Sequence, residues 1–216
     1  MSSDIEDSLE FYSDVFPFDT PPRIDSSAFA TSSRLFLTDT TLRDGQQGWR
    51  TLTAEESIRI YDILQKIDGG KGIILTSELF PYTTKDRIAI QRIVDRNYEY
   101  PEPIGWIRAR KDDVDLLLQT PLRKTVMLCS ISDYHIHYKL GTTRRRATEN
   151  YLKSVEYALT RGVTPKITLE DITRADIEGV VIPFINQLLE IGNKFSQSIV
   201  IKFADTLGLG LPYSEA

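Results

Sequence analysis

The sequence predicts a TIM (β/α)8 barrel, truncated after its sixth strand and preceded by an acidic N-terminal leader. Short apolar runs alternate with helical segments, nearly every run ends in a polar segment, and six such runs occur in 216 residues. The alternation predicts a parallel sheet covered by helices. Polar segments after nearly every strand favour a barrel, whose active face lies at the strand carboxyl ends, over a doubly wound sheet with one site at a switch point.

Six apolar runs mark the strands, and helical segments separate them. The runs lie at residues 35–37, 73–75, 104–107, 126–129, 166–169 and 199–203. One helix is well delimited, because Thr53 and Glu56 form a capping box and Gly69 follows its end. Its predicted apolar face carries Ile60, Ile63, Leu64 and Ile67. The last helix spans about 175–191 and contains Pro183, which predicts a kink.

Composition excludes several classes of protein. Cys129 is the only cysteine, which excludes a disulfide framework and cysteine-based zinc sites and favours a reducing, cytoplasmic setting. The net charge of -5 argues against a nucleic-acid partner, and no apolar run is long enough to predict a membrane span. Residues 1–33 carry seven acidic side chains against Arg23 alone, and we interpret them as a flexible leader. Residues 34–216 are then a partial TIM-barrel catalytic domain.

The strongest chemical signal is the segment TDTTLRDGQQ at residues 38–47, directly after the first predicted strand. The Asp44 carboxylate is a hard ligand that suits Mg or Mn and is acceptable to Zn. The Arg43 guanidinium can stabilise an enolate or a carboxylate. A turn at Gly45 can bring both side chains to the barrel mouth. By spacing alone, a surface ion pair in a loop is the alternative interpretation.

Four segments in barrel order carry a family resemblance. They are TLRDG at residues 41–45 with its flanks, SDYH at 132–135, EDITRAD at 170–176 and ADTLG at 204–208. Together they resemble the DRE-TIM metallolyase superfamily of pyruvate carboxyltransferase-like barrels. Within it, the chain looks most similar to the branch that contains 2-isopropylmalate, homocitrate and citramalate synthases.

The resemblance implies an acyltransferase of amino-acid biosynthesis. The implied reaction is a metal-dependent, Claisen-type condensation of acetyl-CoA with a 2-oxo acid, followed by thioester hydrolysis. The implied cofactor is a divalent metal (Mg, Mn or Zn) bound by Asp44, and acetyl-CoA is the co-substrate. Arg43 and Glu170 are the implied catalytic residues. The implied substrate-binding residues are Gln47, Thr168, Thr206 and His135. We expect a homo-oligomer with small-molecule partners and with neither nucleic acid nor membrane.

The sequence also departs from the family pattern. The family takes two metal ligands from a His-x-His pair at its seventh strand, whereas the pair here, His135 and His137, follows the fourth run. In an extended chain both imidazoles would share one face, so a metal pair is one interpretation and loop histidines are the other. Glu78 is assigned no role, since its position suggests the wrong face of the second strand.

Two alternatives to a condensing enzyme stay open. One is an aldolase or lyase on the same barrel, and the other is an inactive truncated homologue, because this chain alone would be an incomplete enzyme. The run Arg144-Arg145-Arg146 opens the fourth helix. We interpret it as a solvated face, with a CoA phosphate contact as the alternative.

Overall fold

The computed structural model describes residues 35–208, so the leader predicted at 1–33 lies outside the described residues. The strands are β1 (Leu37–Asp39), β2 (Ile74–Leu79), β3 (Glu102–Arg108), β4 (Lys124–Ser130), β5 (Thr164–Glu170) and β6 (Val200–Ala204). The α-helices are α1 (Gln46–Gly48), α2 (Ala54–Asp68), α3 (Thr84–Val94), α4 (Lys111–Leu117), α5 (Arg144–Thr160) and α6 (Ile182–Lys194). Single π-helical turns occur at Thr41–Gly45, His135–Lys139 and Ile177–Val181, and a 3-10 turn at Ile172–Arg174.

The strands follow the order β1-β2-β3-β4-β5-β6 in one sheet. The registered pairs β1–β2, β2–β3 and β5–β6 are all parallel. A doubly wound sheet reverses its strand order at a switch point, and this order has no reversal. The arrangement is that of successive units of a TIM barrel, and the described residues contain six of the eight strands of that fold. The predicted fold class is therefore confirmed.

The described residues fall into two compact units, 35–126 and 127–208. In the first unit, strand β3 packs on α4 through fully buried apolar side chains: Ile104, Ile107, Val114 and Leu117. In the second unit, α5 packs on β5 and on α6, and the fully buried side chains of these elements include Val155, Ile167, Leu169, Phe184 and Leu188. Cys129 is also fully buried, and burial raises the pKa of its thiol well above the usual range. No helix among residues 35–208 is long and apolar enough to cross a membrane.

Helix α2 confirms its predicted ends but not its predicted apolar face. Thr53 and Glu56 form the capping box, and Gly69 ends the helix in the left-handed conformation, at φ 63°. However, Ile63 and Ile67 are 51% and 70% exposed. The buried face instead carries Ala54, Ser57, Ile58, Tyr61 and Asp68. The buried polar groups are bonded there: the Tyr61 hydroxyl donates to the Pro101 carbonyl, and Asp68 accepts the backbone N–H groups of residues 72–74.

The segment before β6 also differs from its prediction. The single helix expected over about 175–191 is divided into a π-helical turn at Ile177–Val181 and α6 at Ile182–Lys194. Pro183 lies in the first turn of α6, where a missing N–H costs nothing, so it begins a helix and produces no interior kink.

Candidate active site

A π-helical turn directly after β1 positions Arg43 and Asp44. Asp39, the last residue of β1, accepts hydrogen bonds from the Thr41 hydroxyl at 2.6 Å and the Ser77 hydroxyl at 2.7 Å. Leu42 is buried at 1% exposure and holds the turn Thr41–Gly45 against the core. Because Leu42 points into the core, the turn keeps one orientation and its neighbours Arg43 and Asp44 project elsewhere. Arg43 and Asp44 consequently lie at the carboxyl end of a barrel strand, where active sites form.

The Arg43 guanidinium is held by two carboxylates and an aromatic ring. Its Nε donates to Glu78 Oε2 at 2.7 Å, and its Nη1 donates to Asp44 Oδ1 at 2.5 Å. Its Cζ lies 5.1 Å from the centre of the Trp106 ring. Within residues 35–208, its Nη2 makes no hydrogen bond. An oriented cation with a free donor suits an incoming carboxylate or a developing oxyanion.

Glu78, to which the sequence pattern assigns no role, belongs to the contacts around Arg43. It ends up fully buried and paired with Arg43. The side-chain alternation of β2 could not reveal this, because five of its six residues are buried and both faces of the strand are covered. The signal available in the sequence was the charge itself, since a carboxylate within a buried strand needs a cationic partner.

A second group of polar side chains surrounds Glu170 at the end of β5. Its Oε2 accepts hydrogen bonds from Lys139 Nζ at 2.6 Å and from the Ser130 hydroxyl, and His135 Nδ1 lies 3.2 Å away. Burial alone would raise the pKa of Glu170, but the hydrogen bonds from His135, Lys139 and Ser130 outweigh it and lower the pKa to about 2. An ionised carboxylate only accepts hydrogen bonds, so His135 Nδ1 carries the hydrogen.

Asp171 fixes the backbone beside Glu170. It adopts a left-handed conformation, at φ 63°, which is uncommon for a residue with a side chain. Its buried carboxylate accepts hydrogen bonds from the Ser132 hydroxyl and from Arg174, and its N–H donates to Thr206 Oγ1 at 2.9 Å. These contacts stabilise the strained conformation of Asp171, the residue that follows Glu170.

The remaining predicted substrate residues have distinct surroundings. Thr168 lies on β5 and is buried, and its hydroxyl has no hydrogen-bond partner in the described part of the chain. Thr206 is exposed, and its hydroxyl accepts the Asp171 N–H. Gln47 is exposed in α1, whereas its neighbour Gln46 bonds Leu42 and Leu52. Of these three hydroxyl and amide groups, Thr168 is the one buried without a partner.

The arginine run at the start of α5 is not a uniform solvated face. Arg144 is fully buried and donates to Asp133 at two 2.6 Å contacts and to Asp176 at 2.9 Å. A buried, doubly paired guanidinium serves the packing of the second unit, so Arg144 offers no phosphate contact. Arg145 and Arg146 are exposed.

The described residues do not complete a metal site on their own. Asp44 is 49% exposed and bonded to Arg43, and no group of three or more His, Cys, Asp or Glu side chains among residues 35–208 is placed to hold a metal ion. His135 and His137 lie in a π-helical turn, not an extended strand, so the alternation that would pair their imidazoles does not apply. The His137 ring packs instead 4.9 Å from the Tyr138 ring.

Comparisons with known proteins place the chain in a family. Residues 34–215 match the HMGL-like family model. A citrate (Re)-synthase from Clostridium kluyveri is 43% identical over 94% of this chain and 46% of its own length. A 2-isopropylmalate synthase from Sulfurisphaera tokodaii is 29% identical over 84% of this chain and 45% of its own length. The chain thus spans about half the length of these relatives. Among solved structures, an HMG-CoA lyase from Bacillus subtilis has the same fold, with a TM-score of 0.59 and 16% identity over 90% of this chain and 62% of that chain.

Proposed function

Since the chain belongs to the HMGL-like family, within the DRE-TIM superfamily, we propose that it carries part of the active site of a condensing acyltransferase. The proposed reaction joins the methyl carbon of acetyl-CoA to the carbonyl carbon of a 2-oxo acid and then hydrolyses the thioester. The names of the curated relatives, citrate (Re)-synthase and 2-isopropylmalate synthase, support a synthase over a lyase. The observation that carries the proposal is the Arg43 guanidinium, fixed by Glu78 and Asp44 with one donor free.

Arg43 binds the 2-oxo acid in this proposal. As the new carbon–carbon bond forms, negative charge develops on the keto oxygen, and a pre-oriented guanidinium stabilises that charge without reorganising. Glu78 and Trp106 hold the guanidinium in place through contacts at 2.7 Å and 5.1 Å. Glu170 stays ionised and holds the donors of His135 and Lys139 in place, while His135, Thr168, Thr206 and Gln47 contact the 2-oxo acid.

A divalent metal with Asp44 as a ligand stays part of the proposal. The described residues supply too few ligands to hold it. The roles proposed for Arg43 and Glu170 therefore use the protein side chains alone. Acetyl-CoA is the proposed co-substrate, and self-association into a homo-oligomer is proposed alongside it. The leader at 1–33 and the catalytic domain at 34–216 are likewise proposed as separate parts of the chain.

Release of free CoA thiol tests this function. Acetyl-CoA and a 2-oxo acid are added with Mn²⁺, and the thiol is measured against time. Arg43→Ala is expected to slow release by about 100-fold, because a donor to the developing oxyanion is lost. Glu78→Gln is expected to slow it by about 10-fold, because Arg43 loses a charged partner.

The matched control is Arg50→Ala, which removes an exposed arginine paired with Glu56 in the same segment. Its rate should equal that of the unmodified chain. Release that continues undiminished in Arg43→Ala would contradict the proposed function. Binding of the 2-oxo acid without any release would instead support the inactive homologue.

A further inference from the structure

Helix α2 exposes the apolar face that its sequence periodicity marks for burial. Ile60, Ile63, Leu64 and Ile67 recur at helical spacing and therefore share one side of the helix. Ile63 and Ile67 are 51% and 70% exposed, and Ile60 and Leu64 are half-buried. Exposed isoleucines on two successive helical turns form an apolar surface that a partner can cover.

Helix α3 covers a different side of α2. Arg92 of α3 pairs with Glu55 at 2.9 Å, and Arg96, which follows α3, pairs with Asp62 at 3.0 Å. Glu55 and Asp62 are seven residues apart, so they lie on the same side of α2. Successive residues are about 100° apart around a helix, so Ile63, the residue after Asp62, lies on another side. The apolar face is therefore distinct from the contact with α3.

Basic side chains border the exposed apolar face. Arg59 and Lys66 are seven residues apart and lie beside Ile63, and Lys71 follows the end of the helix. All three are exposed, and none of them takes part in an ion pair within residues 35–208. A second copy of this face would bring like charges together, which opposes association. The surface instead suits a partner that combines acidic and apolar side chains.

The acidic leader has this composition. Residues 1–33 carry seven acidic side chains against Arg23 alone. The aromatic segment of the leader, residues 10–19 with the sequence EFYSDVFPFD, holds four aromatic and three acidic side chains. Aromatic side chains gain stability by leaving water, and carboxylates complement the cations that border the apolar face.

The leader joins the described chain near the carboxyl end of α2. It leads directly into Leu35, which is 82% exposed. The Leu37 N–H donates to the Ile73 carbonyl at 2.7 Å, and the Ile73 N–H donates to Asp68, the last residue of α2. Residues 20–34 can span up to about 50 Å when extended. Helix α2 is only about 22 Å long, so the aromatic segment can reach the whole apolar face.

We propose that the aromatic segment of the leader binds the exposed apolar face of α2 in the same chain. Its aromatic side chains cover Ile63 and Ile67, and its carboxylates lie beside Arg59 and Lys66. The periodicity of α2 is thereby explained, because residues 10–19 bury the face that the sequence marks for burial. This contact involves no residue of the candidate active site, so it is independent of the proposed function.

Photo-crosslinking of the full 216-residue chain tests the proposal. A photoreactive benzoylphenylalanine takes the place of Phe16, and mass spectrometry locates the cross-linked peptide after irradiation. Cross-links to residues 59–71 of the same chain are expected. Ile67→Asp should lower their yield at least about five-fold, because the bound leader would bury a charge. Arg59→Glu combined with Lys66→Glu should lower it at least about two-fold, because like charges then face the leader.

Matched variants show whether the effect is specific to this face. Ile88→Asp changes an apolar residue of α3 that is 45% exposed, and Arg110→Glu changes an exposed arginine paired with Asp112. Both variants should keep the cross-linking yield of the unmodified chain. Circular dichroism of every variant establishes that it is folded, so that a lower yield reports loss of the contact and not unfolding.

Several results would overturn the proposal. Cross-links to residues 127–208, cross-links between two copies of the chain or the absence of any cross-link would each contradict binding at α2. A folded Ile67→Asp variant with an undiminished yield would contradict it equally. Binding of a 2-oxo acid is measured separately on the same variants, so failure of this proposal leaves the proposed function unaffected.

Discussion

At the scale of single residues, charged side chains at the strand ends are held by hydrogen-bond partners. Each of these side chains keeps one donor or acceptor atom without a partner in residues 35–208. Arg43 donates through Nε and Nη1 to Glu78 and Asp44. Glu170 accepts three contacts on Oε2, and its other oxygen has no hydrogen-bond partner in the described chain. Such pre-orientation means that binding a ligand costs little further ordering of the protein.

The depressed pKa of Glu170 predicts how stability depends on pH. Its value of about 2 lies below the ordinary 4.5, so the ionised form is favoured by folding. The contribution of ionised Glu170 to the free energy of unfolding is therefore fully present above about pH 4.5 and is lost as pH falls toward 2. It amounts to about 3 kcal/mol. Urea unfolding between pH 2 and pH 6 measures it, and Glu170→Gln should remove this part of the slope.

The control for that measurement is Glu149→Gln, a 54% exposed residue whose contact with Lys153 is 3.9 Å long. It should follow the pH dependence of the unmodified chain. A Glu170→Gln slope equal to that of the unmodified chain would show that Glu170 gains nothing from its three contacts.

Contacts between residues of the candidate site were predictable from sequence where both residues belong to one local motif. They were not predictable where the two residues come from different strands or segments. Arg43 and Asp44 are adjacent in one motif, and the structure brings them together at 2.5 Å. Glu78 reaches Arg43 from 35 residues away, and nothing in the pattern of a strand buried on both faces indicates that contact. His135 likewise meets Glu170 across 35 residues.

At the scale of elements, an ion-paired cluster ties the start of α5 to the segments around it. Arg144 is the largest fully buried side chain of the described chain, and it joins Asp133 to Asp176. These carboxylates precede α5 and the π-helical turn at Ile177–Val181, respectively. The cluster therefore holds the segment after β4, which carries His135 and Lys139, in a defined position.

Loss of Arg144 should destabilise the fold strongly. Arg144→Met leaves two carboxylates without their cation, one of them buried, and is expected to lower the free energy of unfolding by about 3–5 kcal/mol. Arg146→Met changes an exposed residue of the same helix and should alter it by less than about 0.5 kcal/mol. Urea denaturation of both variants measures the difference. Equal stabilities would mean that the buried cluster is dispensable.

Helix ends were easier to predict than helix faces, for a physical reason. The capping box of α2 is encoded within four residues, so Thr53 and Glu56 were sufficient to locate it. The buried face depends on which neighbours pack against the helix. Tyr61 takes a buried position by bonding Pro101, whereas Ile63 stays exposed, and apolar periodicity alone does not distinguish the two.

At the scale of the whole molecule, the strand order is that of a TIM barrel. It also accounts for the apolar side chains that are exposed at β1 and β6. Among the described residues, β1 is hydrogen-bonded only to β2, and β6 only to β5. Apolar side chains are exposed at both strands: Leu35 and Phe36 precede β1, Leu37 begins it, and Val200 and Phe203 lie on β6. In a closed barrel each strand has two neighbours, so a closed barrel would cover positions of this kind.

If this chain binds a 2-oxo acid through Arg43, equilibrium binding of the acid must depend on that side chain. A 2-oxo acid is titrated by calorimetry into the unmodified chain, Arg43→Ala and Arg50→Ala, each shown by circular dichroism to be folded. We expect saturable binding that Arg43→Ala weakens at least about 10-fold and that Arg50→Ala leaves unchanged. Binding of equal strength in all three, or none in the folded unmodified chain, would contradict it.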